Sequence, residues 1–410
     1  MTSVDLRGLR PEEWDEWYSG LELAFGGIPD SPEERELWRE LTEFERALSA
    51  RDGDRIVGTA GSFPFRLSVP GGAIVPAAGV TAVSVAATHR RRGILSAMMR
   101  RLLDGVRAAG EPLAVLMASE PAIYGRFGYG IASRQLSAEI DTSRVRLTVP
   151  PEADGVRLRE ADPAAVLDEC EALYARLVPG RPGRTERLPG WERLEVLDPE
   201  RRREGASRQR CVLAEAGGEL LGYARFAVRP EWDAAGARGT VVLHALEAPD
   251  PAAYGALWRF LTEIDLTSTL RVRSRPVDDP WQHMVDDLRR CGVRLRDGLH
   301  LRLVDAGAAL AARRYAAPVD VVLEVEDAFC PWNSGRWRLA GDASGAECVR
   351  TDAPAGLALD VRDLGAVYLG DTSLAALAGT GRVRELRPGA LAAAAAAFSW
   401  PVAPWMPHGF

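Results

Sequence analysis

The sequence predicts a mixed α/β protein of two or three domains, and four observations support this. Its 410 residues exceed what one compact core usually holds. A strand, a basic turn, a helix and a second strand follow one another between residues 71 and 119. A similar succession without the basic turn recurs between residues 211 and 265. After about residue 296, short strands are followed by helices, which is an α+β pattern.

The composition is that of an ordinary soluble globular protein, with 47% hydrophobic and 27% charged residues. The net charge of -7 argues against general nucleic-acid binding, which needs an excess of basic residues. All 51 basic residues are arginine, so a lysine base or Schiff base is excluded. Five cysteines without a CxxC pair indicate neither a disulfide framework nor a zinc site, and no metal is expected.

The chain shows no targeting or membrane segment. Its first residues lack an apolar stretch, and the apolar run at 390–398 is far too short to span a bilayer. The cysteine usage favours a reducing compartment. We therefore expect a cytoplasmic protein with no membrane association.

The first region divides into predictable elements. Residues 10–25 and 32–50 have the pattern of acidic amphipathic helices. The segment 55–69 predicts one or two strands, and 71–87 predicts two more, the second of them central in the sheet. The segment 113–119 predicts a buried strand. Between them, apolar residues recur at helical spacing; they are Ile94, Leu95, Met98, Met99, Leu102, Leu103 and Val106. This order predicts a right-handed βαβ unit with parallel strands.

The junction before that helix, THRRRGILSAMMRRLL at 88–103, carries an unusual positive charge. A glycine turn into a helix exposes backbone N–H groups at the positive end of the helix dipole, which favours an anion. Gly93 lets a phosphate approach the backbone, and Arg90, Arg91 and Arg92 can pair with it bidentately. The chain contains neither GxxxxGK[ST] nor GxGxxG. The sequence therefore predicts a phosphorylated cofactor other than a usual nucleoside triphosphate or dinucleotide. A solvated basic helix start without a ligand is the alternative.

This junction resembles the acetyl-CoA loop of GNAT N-acetyltransferases, whose signature is [Q/R]-x-x-G-x-[G/A]. Here it reads from Arg90 to Leu95, and Leu95 departs from the last position. The longer stretches VSVAATHRRRGILSAMMRRLL and AVLMASEPAIYGRFGYGIAS resemble the Eis (enhanced intracellular survival) family of acetyltransferases, and the similarity runs over the whole chain.

The resemblance implies tandem GNAT folds, the second degenerate, followed by a sterol-carrier-protein-like domain. The expected ranges are 1–150 for the acetyl-CoA-binding GNAT domain, 151–295 for the degenerate one and 296–410 for the last domain with a catalytic tail. In the second copy Asp250 stands where the phosphate would bind and would repel it. A homo-oligomer, a hexamer in this family, is also implied.

The resemblance also implies roles for particular residues. The acetyl-CoA site would comprise Val83, Val85, Arg90, Arg91, Arg92, Gly93, Ile94, Leu95 and Ser119. Within it, the backbone of Val83 and Val85 would contact the pantetheine arm and the thioester carbonyl. Tyr124 would be the general acid, because a phenol with an unperturbed pKa of about 10 stays protonated at neutral pH. From the pattern alone, Tyr124 could equally be a core aromatic beside Phe127 and Tyr129.

In the resembling family the α-carboxylate at the chain terminus is the base, which here is that of Phe410. The tail FSWPVAPWMPHGF is rich in proline and aromatic residues, which favours a stiff segment lying in a groove. A surface-docked or disordered tail is the alternative. Glu120 is then the leading candidate base, and His89 is poorly placed for it.

The expected activity is transfer of acetyl from acetyl-CoA to a primary amine of a small molecule, such as an aminoglycoside, or of a peptide lysine. The alternative is a non-enzymatic ligand- or lipid-binding scaffold with a retained GNAT fold. Asp30, Glu33, Glu34 and Trp38 are candidates for the acceptor pocket. The three acids could equally form a solvated helix start. The last residues before Phe410 add no carboxylate side chain, which predicts a less acidic pocket than in aminoglycoside-modifying relatives.

Overall fold

The computed structural model describes residues 4–410 and divides them into two compact units. The first unit comprises the chain up to Ser133 together with Arg181–Glu186 and Asp297–Phe410. The second comprises Arg134–Gly180 and Arg187–Arg296. Each unit is therefore built from segments that are distant in sequence.

Up to Ser133, the chain alternates helices with the strands of one sheet. The strands are β1 (Asp5–Gly8), β2 (Leu48–Asp52), β3 (Arg55–Ser68), β4 (Ile74–Val85), β5 (Leu113–Met117) and β6 (Gly130–Ile131). The helices are α1 (Trp14–Ala24), α2 (Pro32–Leu41) and α3 (Ile94–Ala108). The prediction that the second helix reaches residue 50 is wrong, because Leu48–Asp52 is needed as a strand between β1 and β3.

The second unit has a seven-stranded sheet, a two-stranded sheet of β11 and β12, and two main helices within the described residues. The strands are β7 (Arg134–Asp141), β8 (Arg157–Ala161), β9 (Arg210–Ala216), β10 (Glu219–Arg229), β11 (Trp232–Asp233), β12 (Gly236–Ala237), β13 (Gly239–Glu247), β14 (Thr267–Pro276) and β15 (Arg294–Asp297). The helices are α4 (Leu167–Leu177) and α5 (Pro251–Thr262).

The last part of the chain returns to the first unit. Its strands are β16 (Leu299–Leu303), β17 (Val319–Glu326), β18 (Gly335–Gly341), β19 (Ala346–Arg350), β20 (Leu357–Asp360) and β21 (Val383–Glu385). Its helices are α6 (Ala306–Ala312), α7 (Val361–Val367), α8 (Leu374–Ala378) and α9 (Ala390–Phe398).

The predicted βαβ unit is confirmed in the first sheet, whose order is β1-β2-β3-β4-β5-β16-β6. Strands β4 and β5 are parallel, and α3 connects them. Six of the seven predicted apolar residues form the buried face of α3; they are Ile94, Met98, Met99, Leu102, Leu103 and Val106. Leu95 is half-buried. Burying this apolar face against the sheet stabilises the crossover.

The second sheet repeats this plan in the order β15-β7-β14-β13-β10-β9-β8. Strands β13 and β14 are parallel, with α5 between them. Asp250, expected to repel a phosphate, caps α5 by accepting a hydrogen bond from the Ala253 amide at 2.8 Å. The N-terminus of α5 is therefore capped by the Asp250 carboxylate.

A third sheet, in the order β19-β18-β17-β20-β21, forms the core of the last region. In the apolar stretch 357–370 only Leu357–Asp360 is extended, and α7 follows. Asp360 caps this helix through the Arg362 amide at 2.7 Å, which explains why the strand ends there.

Two strands pair away from their sequence neighbours. Strand β7, which precedes the expected boundary near residue 150, pairs with β14 in the second sheet. Strand β16 follows the expected boundary near residue 295 and pairs with β5 and β6 in the first sheet. The compact units are therefore not continuous stretches of chain.

Several further observations concern the chain as described. None of the helices formed by residues 4–410 has both the length and the apolar character needed to cross a membrane. Over the same residues, no group of three or more His, Cys, Asp or Glu side chains is arranged to hold a metal. All five cysteines are buried free thiols.

Candidate active site

The candidate site lies where strand β4 extends beyond its pairing with β5 and forms a bulge with β3. Pairing between β4 and β5 runs from Ala77↔Leu113 to Gly79↔Val115, whereas β4 continues to Val85. On the other side, the register with β3 steps from Gly61↔Thr81 to Thr59↔Ser84, which is a β-bulge. Bulges re-aim backbone groups and are frequent beside active sites.

The bulge centres on Ala82, which lies at φ 52, in the left-handed region. The Thr59 hydroxyl stabilises this conformation by donating to the Ala82 carbonyl at 2.6 Å, and it also lies 2.7 Å from the Ser84 hydroxyl. Two cavities flank the bulge. Val83, Ser84 and Val85 line the first cavity, and Thr81 and Ala82 line the second.

The first cavity, of about 460 Å³, brings together most of the residues predicted for the cofactor. Its lining includes Val83, Val85, Arg90, Arg91, Gly93, Ile94, Leu95, Ser119 and Tyr124. Arg92 is exposed and is not among the described residues that line it. Contiguous sequence thus supplies one wall, and the segment after β5 supplies the opposite one.

The basic loop has the backbone geometry of an anion site. Arg91 lies at φ 63 and Gly93 at φ 82, immediately before α3. A Cβ placed on Gly93 would have no atom within 4 Å, so the space beside this glycine is open. Successive N–H groups in such a turn, together with the helix dipole, attract anions.

The arginine side chains of this loop are available to a ligand. Arg90, Arg91 and Arg92 are exposed, and none of them makes a hydrogen bond or an ion pair to a residue in the range 4–410. Cations at a helix N-terminus are unfavourable unless an anion binds there. The loop is therefore suited to bind an anionic group of a ligand.

Tyr124 lies in a 3-10 helix, Pro121–Phe127, on the opposite wall. Its ring contacts Tyr129 edge-on, with the ring centroids 6.1 Å apart. Burial, and then the negative charge of Glu120, raise the pKa of Tyr124. The hydroxyl makes no hydrogen bond to any residue that the structure describes, so it can donate to a ligand. Tyr124 is therefore a protonated donor facing the cavity.

Two other titratable groups line this cavity. Glu120 is exposed beside Tyr124 at the start of the 3-10 helix. His89 is nearly buried, with Nε2 3.1 Å from an Asp52 oxygen and Nδ1 2.8 Å from the Thr88 hydroxyl. Because both ring nitrogens are engaged, His89 is poorly suited to act as a base, as the sequence indicated.

The second cavity, of about 360 Å³, contains Phe410 at its wall. Phe25 lines both cavities, so they lie side by side. The Phe410 ring contacts the Phe65 ring of β3 edge-on, with centroids 4.8 Å apart. The last residue of the chain therefore lies next to the bulge of β4.

The tail is held along its length by residues 181–186. Pro182 accepts a hydrogen bond from the Trp405 amide at 2.9 Å, and the Thr185 hydroxyl lies 3.2 Å from His408 Nε2. The Arg184 guanidinium lies over the Trp405 ring at 5.4 Å. Trp405 and Met406 are almost fully buried. The tail is thus docked rather than frayed.

The 181–186 segment is itself fixed to β3. The Ser68 amide donates to the Arg184 carbonyl at 2.7 Å, and the Gly183 amide donates to the Ser68 carbonyl at 2.8 Å. The Glu186 amide donates to the Arg66 carbonyl at 3.0 Å. This segment therefore links the end of the chain to the strand beside β4.

Gly183→Ala is expected to lower kcat by roughly tenfold or more while acetyl-CoA affinity is kept. Gly183 lies at φ 90, and a Cβ there would come 3.1 Å from the Trp405 amide nitrogen, so the tail must shift. Gly180→Ala is the matched control, because a Cβ at Gly180 meets nothing within 4 Å. Steady-state kinetics check this, and equal kcat values for the two variants would show that the segment does not position the tail.

Of the four residues predicted for the acceptor pocket, two line the second cavity and two do not. Asp30 and Trp38 line the second cavity, whereas Glu33 and Glu34 do not. Glu34 closes a capping box with Ser31, which donates its amide to the Glu34 carboxylate at 2.8 Å. Glu34 therefore belongs to the helix start, but it is buried and not solvated as that alternative supposed. Hydrogen bonding lowers the pKa of Glu33, which is in the first turn of the same helix.

Sequence reasoning missed several residues of the site. Phe25 lines both cavities, and Arg126 adds another positive charge to the first. The 181–186 segment was also missed, because nothing in RPGRTE indicates a partner more than 200 residues away. Among these residues only Arg126 could have been found from the sequence, because it lies two positions after the predicted site residue Tyr124.

Comparisons with known proteins show the family to which this chain belongs. Residues 5–132 and residues 181–303 each match an acetyltransferase (GNAT) domain model, and residues 306–407 match a sterol carrier protein domain model. An "Uncharacterized N-acetyltransferase" of Streptomyces avermitilis is 66% identical, with 100% of both chains covered. "N-acetyltransferase Eis" of Mycobacterium tuberculosis is 35% identical over 90% of this chain and 91% of that protein. The chain belongs to the Eis family of GNAT N-acetyltransferases.

The family fold is also seen in a solved structure. The crystal structure of Eis1 from Mycobacterium abscessus superposes with a TM-score of 0.85, at 35% identity and with 100% of both chains covered. The predicted architecture of two GNAT domains and a sterol-carrier-like domain is therefore confirmed. This Eis-family protein is an N-acetyltransferase rather than the non-enzymatic scaffold that the sequence left open, and the GNAT domain implies acetyl-CoA as the acetyl donor.

Proposed function

We propose that this protein transfers acetyl from acetyl-CoA to a primary amine of a small molecule, such as an aminoglycoside-like amine, or of a peptide lysine. In this proposal Tyr124 is the general acid and the α-carboxylate of Phe410 is the base. One observation carries it: a cavity with a free phenol and a cavity with the chain terminus flank the same bulge of β4.

The first cavity fits acetyl-CoA through its own residues. Acetyl-CoA supplies the activated acetyl group. The residues from Arg90 to Leu95 would bind its phosphates with backbone N–H groups and guanidinium groups. Val83 and Val85 would orient the rest of the molecule through backbone groups of β4, while Ser119 adds a hydroxyl on the opposite wall. Open space beside Gly93 supports this fit.

Tyr124 would hold a proton for the departing thiolate. Its raised pKa keeps the phenol protonated throughout the neutral range, which is the state that an acid requires. The hydroxyl is not engaged by any of residues 4–410, so donating costs no existing hydrogen bond. Tyr129, in contrast, is fully buried, so its phenol belongs to the core.

Phe410 would accept the proton from the acceptor amine. An α-carboxyl group has an unperturbed pKa of about 3.3–3.7, which makes a weak base. The aromatic surroundings of Phe410 in the second cavity would strengthen it by disfavouring the charged form, or the carboxylate would act through a water molecule.

Thiol release tests the function directly. Acetyl-CoA is mixed with the protein and a panel of small-molecule and peptide amines, and free CoA thiol and acetylated product are measured. We expect equal amounts of both for at least one amine. Binding of acetyl-CoA without thiol release on any amine would contradict the proposal.

Combined substitution of Arg90 and Arg91 by alanine is expected to weaken acetyl-CoA binding at least about tenfold, because each charge-assisted hydrogen bond contributes roughly 1.5–3 kcal/mol. Gly93→Val should also weaken it, since a side chain there enters the open space and strains a residue at φ 82. Arg92→Ala, outside the cavity lining, should have a smaller effect. Calorimetric titration checks these affinities, and unchanged values in all variants would remove the loop from the cofactor site.

A hexameric assembly stays a prediction from the family resemblance, and a cytoplasmic location stays a prediction from the sequence. Light scattering of the purified protein measures the mass of the assembly. A mass of six chains is expected, and a monomer would contradict the prediction.

A further inference from the structure

A fully buried arginine of β16 contacts the end of the 3-10 helix that carries Tyr124. One terminal nitrogen of Arg302 donates a hydrogen bond to the carbonyl of Phe127, the last residue of that helix. The other terminal nitrogen pairs with the Asp327 carboxylate at 2.5 Å. A Cβ on Gly128, which ends the helix at φ 80, would overlap the Arg302 guanidinium. A single guanidinium thus joins the helix of Tyr124 to a carboxylate of the last region.

The Asp327 carboxylate is itself held in place by its neighbours. One of its oxygens accepts a hydrogen bond from the Cys330 amide at 2.8 Å, and the other accepts from the Asn333 side chain at 3.0 Å. The same Asn333 side chain donates to the carbonyl of Leu303, the residue after Arg302, at 3.2 Å. Asp327 and Asn333 are both buried. The direction of the Arg302 guanidinium is therefore fixed.

The segment 327–333 also contacts α3, the helix that begins at the basic loop. The Arg100 side chain of α3 donates to the Phe329 carbonyl at 2.9 Å, and its guanidinium lies over the Phe329 ring at 4.3 Å. The Phe329 ring meets the Phe127 ring edge-on, with the centroids 5.0 Å apart. This segment of the last region therefore contacts both the 3-10 helix and α3, which supply opposite walls of the first cavity.

The buried pair of Arg302 and Asp327 is a costly way to gain stability alone. Removing two charges from water offsets much of their attraction, and an apolar pair of similar volume often serves stability as well. In addition, Nε of Arg302 makes no hydrogen bond to any residue in the range 4–410. An apolar side chain could not hold the Phe127 carbonyl, so this contact distinguishes the arginine from an apolar replacement.

We propose that Arg302, oriented by Asp327, is a positioning residue that keeps the Tyr124 hydroxyl where it protonates the departing thiolate. This inference rests on the proposed role of Tyr124 as the general acid. Tyr124 lies three residues before Phe127, which is one turn of a 3-10 helix, so a shift of the helix end moves the phenol. A displacement of about 1 Å in an active site lowers the rate by as much as about 10²-fold. The last region thereby contributes to acid catalysis.

The first test removes both charges of the pair from the full chain. Arg302→Met combined with Asp327→Asn leaves no unpaired buried charge, and the asparagine keeps an acceptor for the Cys330 amide. We expect kcat to fall by about tenfold while the KM for acetyl-CoA stays within about twofold, because the basic loop is unchanged. Arg302→Lys keeps the charge but loses the planar fork, so it should lose less in the same direction. Wild-type kcat in both variants overturns the inference.

The second test repeats these substitutions in Tyr124→Phe protein. If Arg302 acts through Tyr124, the additional loss of kcat should be below about twofold there, because no acid remains to be misplaced. A purely structural role lowers kcat by the same factor in both backgrounds, and that result overturns the inference. All variants are assayed by thiol release with whichever of 2-phenylethylamine, spermidine and kanamycin the wild type acetylates fastest.

A second buried pair provides the matched control. Arg275 pairs with Asp279 in the second unit and donates to the Leu246 carbonyl at 2.7 Å. Arg275→Met with Asp279→Asn should lower the melting temperature but leave kcat of the folded protein within about twofold, because this pair does not hold the 3-10 helix. A tenfold loss of kcat in this control would assign the effect to stability and overturn the inference.

Failure of the inference and failure of the proposed function give different results. If Tyr124→Phe lowers kcat and the Arg302 variants do not, the positioning role is wrong and the proposed function stands. If Tyr124→Phe keeps near-normal kcat, both the proposed acid and the positioning role are wrong. If none of the three amines releases CoA although acetyl-CoA binds, the inference falls with the proposed function.

Discussion

Deletion of Phe410 is expected to abolish amine acetylation while acetyl-CoA binding is kept. The deletion moves the α-carboxylate to Gly409 and removes the ring that contacts Phe65, so the base leaves its place beside the bulge. Loss of a positioned base lowers the rate by about 10²- to 10⁴-fold. Appending a short C-terminal tag should have the same effect, because it converts the carboxylate into an amide. Thiol-release kinetics and calorimetric titration measure the two properties separately.

Two controls separate the carboxylate from the ring. Phe410→Ala keeps a terminal carboxylate and should be milder than the deletion, although the contact with Phe65 is lost. A semisynthetic chain ending in an amide keeps the ring and loses only the charge, so it should be nearly inactive. Glu120→Gln should have a much smaller effect. Full activity of the tagged or amidated protein would remove Phe410 from the mechanism and make Glu120 the leading base.

Tyr124→Phe is expected to lower kcat by about 10²-fold or more with little change in stability. The substitution keeps the ring and its contact with Tyr129 but removes the proton that the departing thiolate needs. Because no residue described by the structure is hydrogen-bonded to the Tyr124 hydroxyl, its loss leaves no buried partner unsatisfied.

Tyr129→Phe is the matched control for this prediction. Tyr129 is 1% exposed, and its hydroxyl lies 4.0 Å from the Met99 sulfur, away from solvent. Its substitution should leave kcat within about threefold, since it removes one weak buried contact. Near-normal turnover of Tyr124→Phe would return Tyr124 to the alternative role of a core aromatic.

The sequence predicted the helices and strands whose signal lies in the spacing of neighbouring apolar residues. The apolar spacing from Ile94 to Val106 predicted the buried face of α3, and the continuous apolar run before it predicted the central strand β4. The prediction of two strands within 71–87 is wrong, because Ile74–Val85 forms a single strand that pairs with β3 along its length. The end of α2 at Leu41 was missed because the strand that follows exists only through pairing with β1 and β3. The placement of β7 and β16 likewise depends on partners far away in sequence.

The candidate site likewise contains residues that the local sequence could indicate and residues that it could not. Its phosphate-binding loop is contiguous, so Arg90 to Leu95 could be found from glycine, charge and the helix pattern. The family resemblance, rather than any local signal, pointed to Tyr124 and Phe410. The docking of the tail by residues 181–186 could not be predicted, because backbone pairing between Ser68, Gly183 and Arg184 leaves no compositional trace.

A crystal structure of the protein with CoA and an acetylated amine tests the central claim most directly. The account predicts that the CoA phosphates contact the backbone between Arg90 and Leu95, and that the CoA sulfur lies within hydrogen-bond distance of the Tyr124 hydroxyl. The acetylated nitrogen should lie near the Phe410 carboxylate, directly or through one water molecule. An amine bound on the Glu120 side of the first cavity, away from Phe410, would contradict the account.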